Sequence, residues 1–435
     1  MMSDKIENIE LRFPDILGRM KAMIIPCTPA ETIKLVAEDP VLKKGSSCDG
    51  SSVSGLANVE ASDLRLDPDL TSLIEIQFSG RRIAAAMCYI RKKVATGPNE
   101  FYPLDTRGRL QSVCEEHLPG KMQLRAKVEP EFHFITAEGQ HFDDAGYADT
   151  YPRSPGMDVL LSISEAIRNI GMKPRVIHHE VGKAQQEIEL DFENAPKMAD
   201  YILIFKNITR SITQAHGIDV TFMPKPFPGE AGSGMHCHLQ LWDGEKNLFG
   251  DAETGGLSET AKQFVAGLLE HASAITAIAN PSVNSYKRLV PHHEAPVYIT
   301  WGEMNRTALV RVPMYGSSEK AAVEFRSGDA MANPYLLFSV IIAAGKDGIN
   351  RKLVPPEPRS EDIFEMTDEE RAKYNIKMLP ASLKEALDCL EADSVIMDAI
   401  GPDIARNFIN LKREEWNQYS NHIVSDWEWE MYQDL

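Results

Sequence analysis

The chain has 435 residues, 43% of them apolar and 25% charged, with a formal net charge of −18. That length corresponds to about two or three domains and can bury a sizeable core without disulfide or metal staples. The acidity repels phosphate-rich partners, so neither nucleic acid nor an anionic membrane surface is an expected partner.

In chain order, the first seven residues (Met-Met-Ser-Asp-Lys-Ile-Glu) are polar and charged and do not read as a signal peptide. Strands are predicted over 6–13, 21–25, 72–78 and 83–91, with a helix over 30–37 between them, and the Gly/Ser-rich run 45–55 reads as a loop. Residues 95–100 have linker composition and set the expected boundary between a small domain, 1–98, and a large one, 99–435. Beyond it, helices are predicted over 106–116, 156–170 and 196–216, and strands over 126–135, 187–191 and 235–242. The last third reads as mostly helical, over 367–374, 382–393, 402–408 and 411–431. The fold class is α+β. The longest apolar stretch, 336–344, falls far short of the roughly 20 residues a membrane-spanning helix needs. Six scattered cysteines include no C-x-x-C pair, which fits a reduced cytoplasmic interior and argues against thiolate zinc.

Four segments carry polar pairs at strand spacing. Side chains i and i+2 of a strand share a face, so Glu129 and Glu131 lie together while Val128, Phe132 and Phe134 take the other side. Glu187 and Glu189 repeat the pattern, His236 and His238 place two imidazoles on one face, and Glu324 pairs with Arg326. Any one such pair is commonly the solvated face of a half-buried sheet. Together, an acid-rich set with one or two histidines suits hard divalent cations such as Mg²⁺ or Mn²⁺. Lys287, Arg288, Arg306, Arg311 and Arg326 then follow among apolar neighbours. Arginine forks match carboxylate and phosphate oxygens. Neither a P-loop nor a G-x-G-x-x-G run is present, so any use of ATP proceeds without them.

Seven motifs occur in order: Asp49-Gly50-Ser51-Ser52, Glu129-Pro130-Glu131, His178-His179-Glu180-Val181, Lys225-Pro226 with Gly232-Ser233-Gly234-Met235-His236, Asn284 to Pro291 (NSYKRLVP), Asn305-Arg306-Thr307 and Asn333-Pro334-Tyr335-Leu336. In this the sequence resembles type I glutamine synthetase over nearly its whole length. The resemblance implies an N-terminal β-grasp domain and a catalytic domain whose curved antiparallel sheet forms a funnel. It also implies two stacked hexameric rings with sites between subunits, and ATP-dependent formation of glutamine from glutamate and ammonium through γ-glutamyl phosphate. By the same resemblance, Glu131, Glu180 and Glu187 would hold one metal and Glu129, His236 and Glu324 the other. Arg288, Arg326 and Gly232 would bind glutamate, while His238, Arg306 and Arg311 would meet the nucleotide phosphates. Asp49, Ser52, Tyr147 and Glu180 would form an ammonium pocket, the first two donated by a neighbouring subunit. Glu294 would be the acid on the closing flap, and Asp49, Glu294 and Arg306 the catalytic set.

The sequence also departs from the family. It begins on its first strand where relatives carry a helix, although the C-terminal Trp427 to Tyr432 segment that reaches the opposite ring is kept. Phe364 stands where one subgroup has an adenylylated tyrosine, and Asn58 where another has an arginine used in feedback inhibition. Ala231 and Ala322 replace an asparagine and an arginine near the substrates. Together with Trp301-Gly302, the loop around Ala231 is similar to a γ-glutamyl-polyamine ligase branch. Those ligases tend to lose the acidic ammonium pocket, which is complete here, so ammonium is the expected substrate. A non-catalytic structural relative would have lost metal ligands, and all six are present.

Overall fold

Ile9, Leu11 and Phe13 alternate with polar residues, and in the computed structural model this row is buried along one side of a strand, Ile6–Pro14 (β1). The structure describes residues 4–57, 62–78, 80–92, 100–291 and 295–434. The expected domain boundary at 98/99 and the positions Asn58 and Glu294 lie outside the described residues. With β1, the strands Met20–Ala30 (β2), Ser46–Asp49 (β3), Asp63–Pro68 (β4), Ile74–Phe78 (β5) and Arg81–Lys92 (β6) form a six-stranded sheet of order β2-β1-β6-β4-β3, β5 pairing with β6. β6 is its centre, and Ala84, Ala85 and Ala86 are buried there beside β1, to which β6 runs parallel.

Two sequence expectations are corrected in this sheet. The run 45–55, read as a loop, contains β3 and a 3-10 turn, Gly50–Ser52. Serine and glycine have little intrinsic strand preference, and it is pairing with β4, itself unforeseen, that extends them. The helix expected over 30–37 shrinks to one turn, Ile33–Val36, because the chain breaks at Asp39-Pro40. There Asp39 accepts hydrogen bonds from the amides of Val41 and Thr28 and starts a second short helix, Pro40–Lys44.

The second sheet is built around a 14-residue strand, Met122–Ile135 (β7). Pro174–His179 (β8), Gln185–Asn194 (β9), Asp219–Thr221 (β10), Met235–Asp243 (β11), Lys246–Asn247 (β12), Tyr298–Glu303 (β13), Ala308–Val312 (β14) and Val323–Phe325 (β15) complete it, in the order β13-β14-β15-β11-β7-β9-β8. It is antiparallel except for the edge pair β13–β14. The apolar face packs on the helix Ala195–Ala215, whose Phe205 meets Phe132 at a centroid distance of 5.9 Å, with Phe134 and Phe222 beside Phe132 at 5.7 and 5.3 Å. The polar face is thereby left to line a cavity.

The longest apolar stretch proves to be the core of a helix, Pro334–Arg351, buried from Pro334 to Gly345. Asn333 caps it and also donates to the carbonyls of Asp15 and Ile16 in the β1–β2 hairpin, tying the two sheets' domains together. The hairpin can approach only because Gly18 sits at φ +75°; a Cβ there would lie 2.7 Å from Asn333 Cα. Arg107 makes a second tie. It binds Asp200 through both oxygens (2.9 and 2.8 Å), reaches Asp69 at 2.7 Å, and stacks on Tyr89.

A histidine clamp joins the C-terminal helices. His271 Nδ1 lies 2.6 Å from Asp393 and Nε2 lies 3.1 Å from Asp347. Burial alone would lower its pKa, but the two carboxylates outweigh burial and raise it above 6.5. A raised folded value means that its stabilisation is complete below about pH 6.5 and is lost as pH rises through the folded pKa. The melting temperature of the wild type should therefore exceed that of His271→Gln most at pH 6, with the gap closing toward pH 9. A gap independent of pH would contradict this account of the clamp.

Candidate active site

Register and alternation assemble the site from four adjacent strands. Glu129 and Glu131 on β7, Glu187 and Glu189 on β9, His236 and His238 on β11, and Glu324 and Arg326 at β15 all line one cavity of about 1270 Å³. Pairing brings His236 opposite Glu129, and Glu131 opposite Glu187. Their apolar neighbours Val128, Ile188, Cys237 and Phe325 are buried behind. All four pairs read from the sequence thus face the same space, which is large enough for two small-molecule substrates.

Two groups of side-chain atoms there lie close enough together to hold an ion, His178 with Glu180 and Glu187, and Glu129 with His238 and Glu324. The expected sets share Glu180, Glu187, Glu129 and Glu324 with these groups and add Glu131 and His236, which line the same cavity beside them. The surroundings of each differ. One oxygen of Glu131 already accepts hydrogen bonds from the Gly234 amide (2.9 Å) and from Gln185 (3.0 Å). His236 and His238 stand two apart on one face, and both reach Glu129, at 3.5 and 2.8 Å. His178 lies 3.2 Å from Glu187 and carries Tyr147 edge-on at 5.4 Å. The motif containing it was visible in the sequence, but strand spacing gave no reason to single out its first histidine.

The electrostatics fit hard cations. Burial and the carboxylates of Glu187 and Glu180 push Glu131 well above the ordinary carboxylate range, so these acids need positive charge to ionise together. The hydrogen bond to Glu187 lifts His178 to about 9. Burial would raise Glu129, yet the imidazoles of His236 and His238 hold it far below the ordinary range. Nε2 of His236 is buried without a hydrogen-bond partner, while Nε2 of His238 lies 2.8 Å from Glu129. Imidazole nitrogens, one of them unpartnered, among clustered carboxylates are a donor set suited to divalent cations.

Arginines close the cavity. Glu324 accepts from Arg311 at 2.6 Å and from Arg326 at 2.7 Å. Arg288 is held by the carbonyls of Ser327 and Gly328 and lies against the loop Gly232-Ser233-Gly234. A Cβ on Gly232 would sit 2.5 Å from the Pro224 carbonyl oxygen and 2.8 Å from Arg288 Cγ, so the close approach requires glycine there. Arg306 lines the cavity from a loop fixed by Asn305, which donates to the carbonyls of Arg359 and Glu361 and accepts from Thr307. Tyr147, Glu180, Gly232 and Arg311 line the cavity too. Asp49 and Ser52 do not; they are exposed on the other domain, where Ser51 and Ser52 hydrogen-bond to Asp49 (2.7 and 2.9 Å) and hold its carboxyl below the ordinary range.

Comparison with known proteins agrees with this geometry. Residues 5–93 match the glutamine synthetase β-grasp domain family, and residues 93–432 the glutamine synthetase catalytic domain family. The chain is 40% identical to the glutamine synthetase of Pyrococcus furiosus over 443 residues, covering 98% of this chain and 97% of that one. It is 40% identical to that of Methanocaldococcus jannaschii over 438 residues, covering 98% and 94%. Among solved structures, ligand-free GmaS is similar with a TM-score of 0.86 at 32% identity, covering 99% of this chain and 97% of that chain. The Plasmodium falciparum glutamine synthetase shares the fold with a TM-score of 0.84 at 24% identity. Among the described residues no helix is long and apolar enough to cross a membrane. The chain belongs to the glutamine synthetase family.

Proposed function

We propose that this enzyme forms L-glutamine from L-glutamate, ammonium and ATP. The observation that carries the reading is the single cavity in which two acid-and-imidazole groups, a buried arginine beside a glycine loop, and further arginines converge. Glu129, Glu324, His236 and His238 on one side, and Glu131, Glu180, Glu187 and His178 on the other, are the residues that would hold two Mg²⁺ or Mn²⁺ ions. Bound there, such ions would polarise phosphoryl oxygens and spread transition-state charge.

The remaining roles follow from the side chains. Arg288 and Arg326, with the backbone of Gly232, are suited to the glutamate carboxylates. Arg306 and Arg311 face the same space and would meet the transferred phosphoryl group and the nucleotide. Attack of the γ-carboxylate on the terminal phosphate of ATP gives γ-glutamyl phosphate and ADP; the amine then displaces phosphate. Ammonium must lose a proton before it can attack. Asp49, which its serines keep ionised, would take it, and Glu294 the second. Because Asp49 and Ser52 stand apart from the cavity of their own chain, we assign them to the site of a neighbouring subunit in a homo-oligomer of two stacked hexamers.

A second reading has one observation in its favour. Residue 231, in the loop beside Arg288, is an alanine, which offers no side-chain hydrogen bond to a substrate. A remodelled loop would suit a γ-glutamyl-amine ligase. The test of the main reading is glutamine and ADP formation that requires glutamate, ammonium and a divalent ion together. Chelation should abolish it and Mn²⁺ should restore it. ADP release with no glutamine formed would overturn it.

A further inference from the structure

Lys127 stands two residues before Glu129 on β7 and therefore shares its face. It is buried at 7% exposure. Its Nζ lies 2.9 Å from Glu129 Oε1 and also pairs with Glu189 on β9. The oxygen it takes on Glu129 is the one that His238 Nε2 approaches at 2.8 Å. Glu189 has a second basic neighbour, Arg175, whose Nε lies 3.5 Å away. A buried ammonium thus compensates a carboxylate that also belongs to the group formed with His238 and Glu324.

An ammonium is a compact charge with three donors on a flexible stem, so it can change partners without moving the backbone. A divalent ion taken up by Glu129 would bring like charge against it. Glu189, already shared with Arg175, would remain as an anchor, and Lys127 lines the same cavity as Arg311 and His238. A polyanion there offers the ammonium new acceptors.

Resting on the reading above, we propose that Lys127 is a nucleotide-positioning residue that exchanges Glu129 for the nucleotide phosphates when a divalent ion binds. The exchange has a signature that general damage lacks. In Lys127→Met, Mn²⁺ alone should bind more tightly at one site, because a competing cation is gone. ADP in the presence of Mn²⁺ should bind about tenfold more weakly or worse, because a charged hydrogen bond is lost. Mn²⁺ binding is read by electron paramagnetic resonance and ADP binding by calorimetry, on the assembled enzyme. Lys127→Gln, close in size and polar, repeats the test in a variant more certain to fold. Opposite shifts of the two affinities support the proposal. Two unchanged affinities, or two that weaken together, overturn it while leaving the synthetase reading intact. A wild-type protein that binds neither Mn²⁺ nor ADP overturns both.

Discussion

Replacing Glu324 with alanine should lower turnover by about a thousandfold or more. The side chain is fully buried and would be a ligand to one of the two ions. Metal stabilisation of transition-state charge contributes several kcal/mol, and about 4 kcal/mol corresponds to three decades in rate. Stability should fall as well. Glu324 accepts from Arg311 and Arg326, and these guanidinium groups help to hold its carboxyl below the ordinary range despite burial. Removing the acid leaves Arg326, itself buried, without its carboxylate, at a cost of about 3–5 kcal/mol. Glu324→Gln separates the two effects, since the amide oxygen still accepts a hydrogen bond but carries no charge. Both variants should lose turnover, and the alanine variant should melt well below the glutamine variant. Full activity in Glu324→Ala, with saturating Mn²⁺, would show that the ion is held elsewhere.

A second large effect is expected from mixing two inactive proteins. Asp49→Ala removes the residue assigned to the neighbouring site, and Arg306→Ala removes one that lines the cavity of its own chain. Each alone should be nearly inactive. When the two are dissociated, mixed in equal amounts and reassembled, random placement around a ring gives about a quarter of junctions with both residues intact. Activity should therefore recover to roughly that fraction of the wild-type value. Mixed rings with no activity would mean that every site is built from one chain.

Much of this site was legible in the sequence because strand alternation is a two-residue rule. Glu129, Glu131, Glu187, Glu189, His236, His238, Glu324 and Arg326 share a cavity for the reason that the spacing implies. The same rule extended by one step reaches Lys127, whose basic side chain is of a different type from the acids that mark the face. His178 was hidden differently. Its partner Glu187 lies on the next strand, opposite it by register, and register is not written in local spacing. The strands β3 and β4 failed for a related reason, since each is extended mainly by the other. The helices over 106–117, 157–169 and 195–215 were recovered within a residue or two, their capping residues and apolar stripes being local signals.

The proposed amine is ammonium. In the proposed site, Tyr147, Glu180 and Glu294, with Asp49 and Ser52 assigned to a neighbouring subunit, would make a small anionic pocket that a small cation would fill with charge-assisted hydrogen bonds. An alkyl group pushed into it leaves acceptors unpaired, each costing about 1–3 kcal/mol, which is roughly 10- to 100-fold in rate. The deciding measurement is product formation with ammonium, methylamine, putrescine and spermidine under one set of conditions. Ammonium should be preferred in kcat/KM by about tenfold or more over every other amine. A clear preference for putrescine or methylamine, or no glutamine formed at all, would contradict the account and leave the γ-glutamyl-amine ligase in its place.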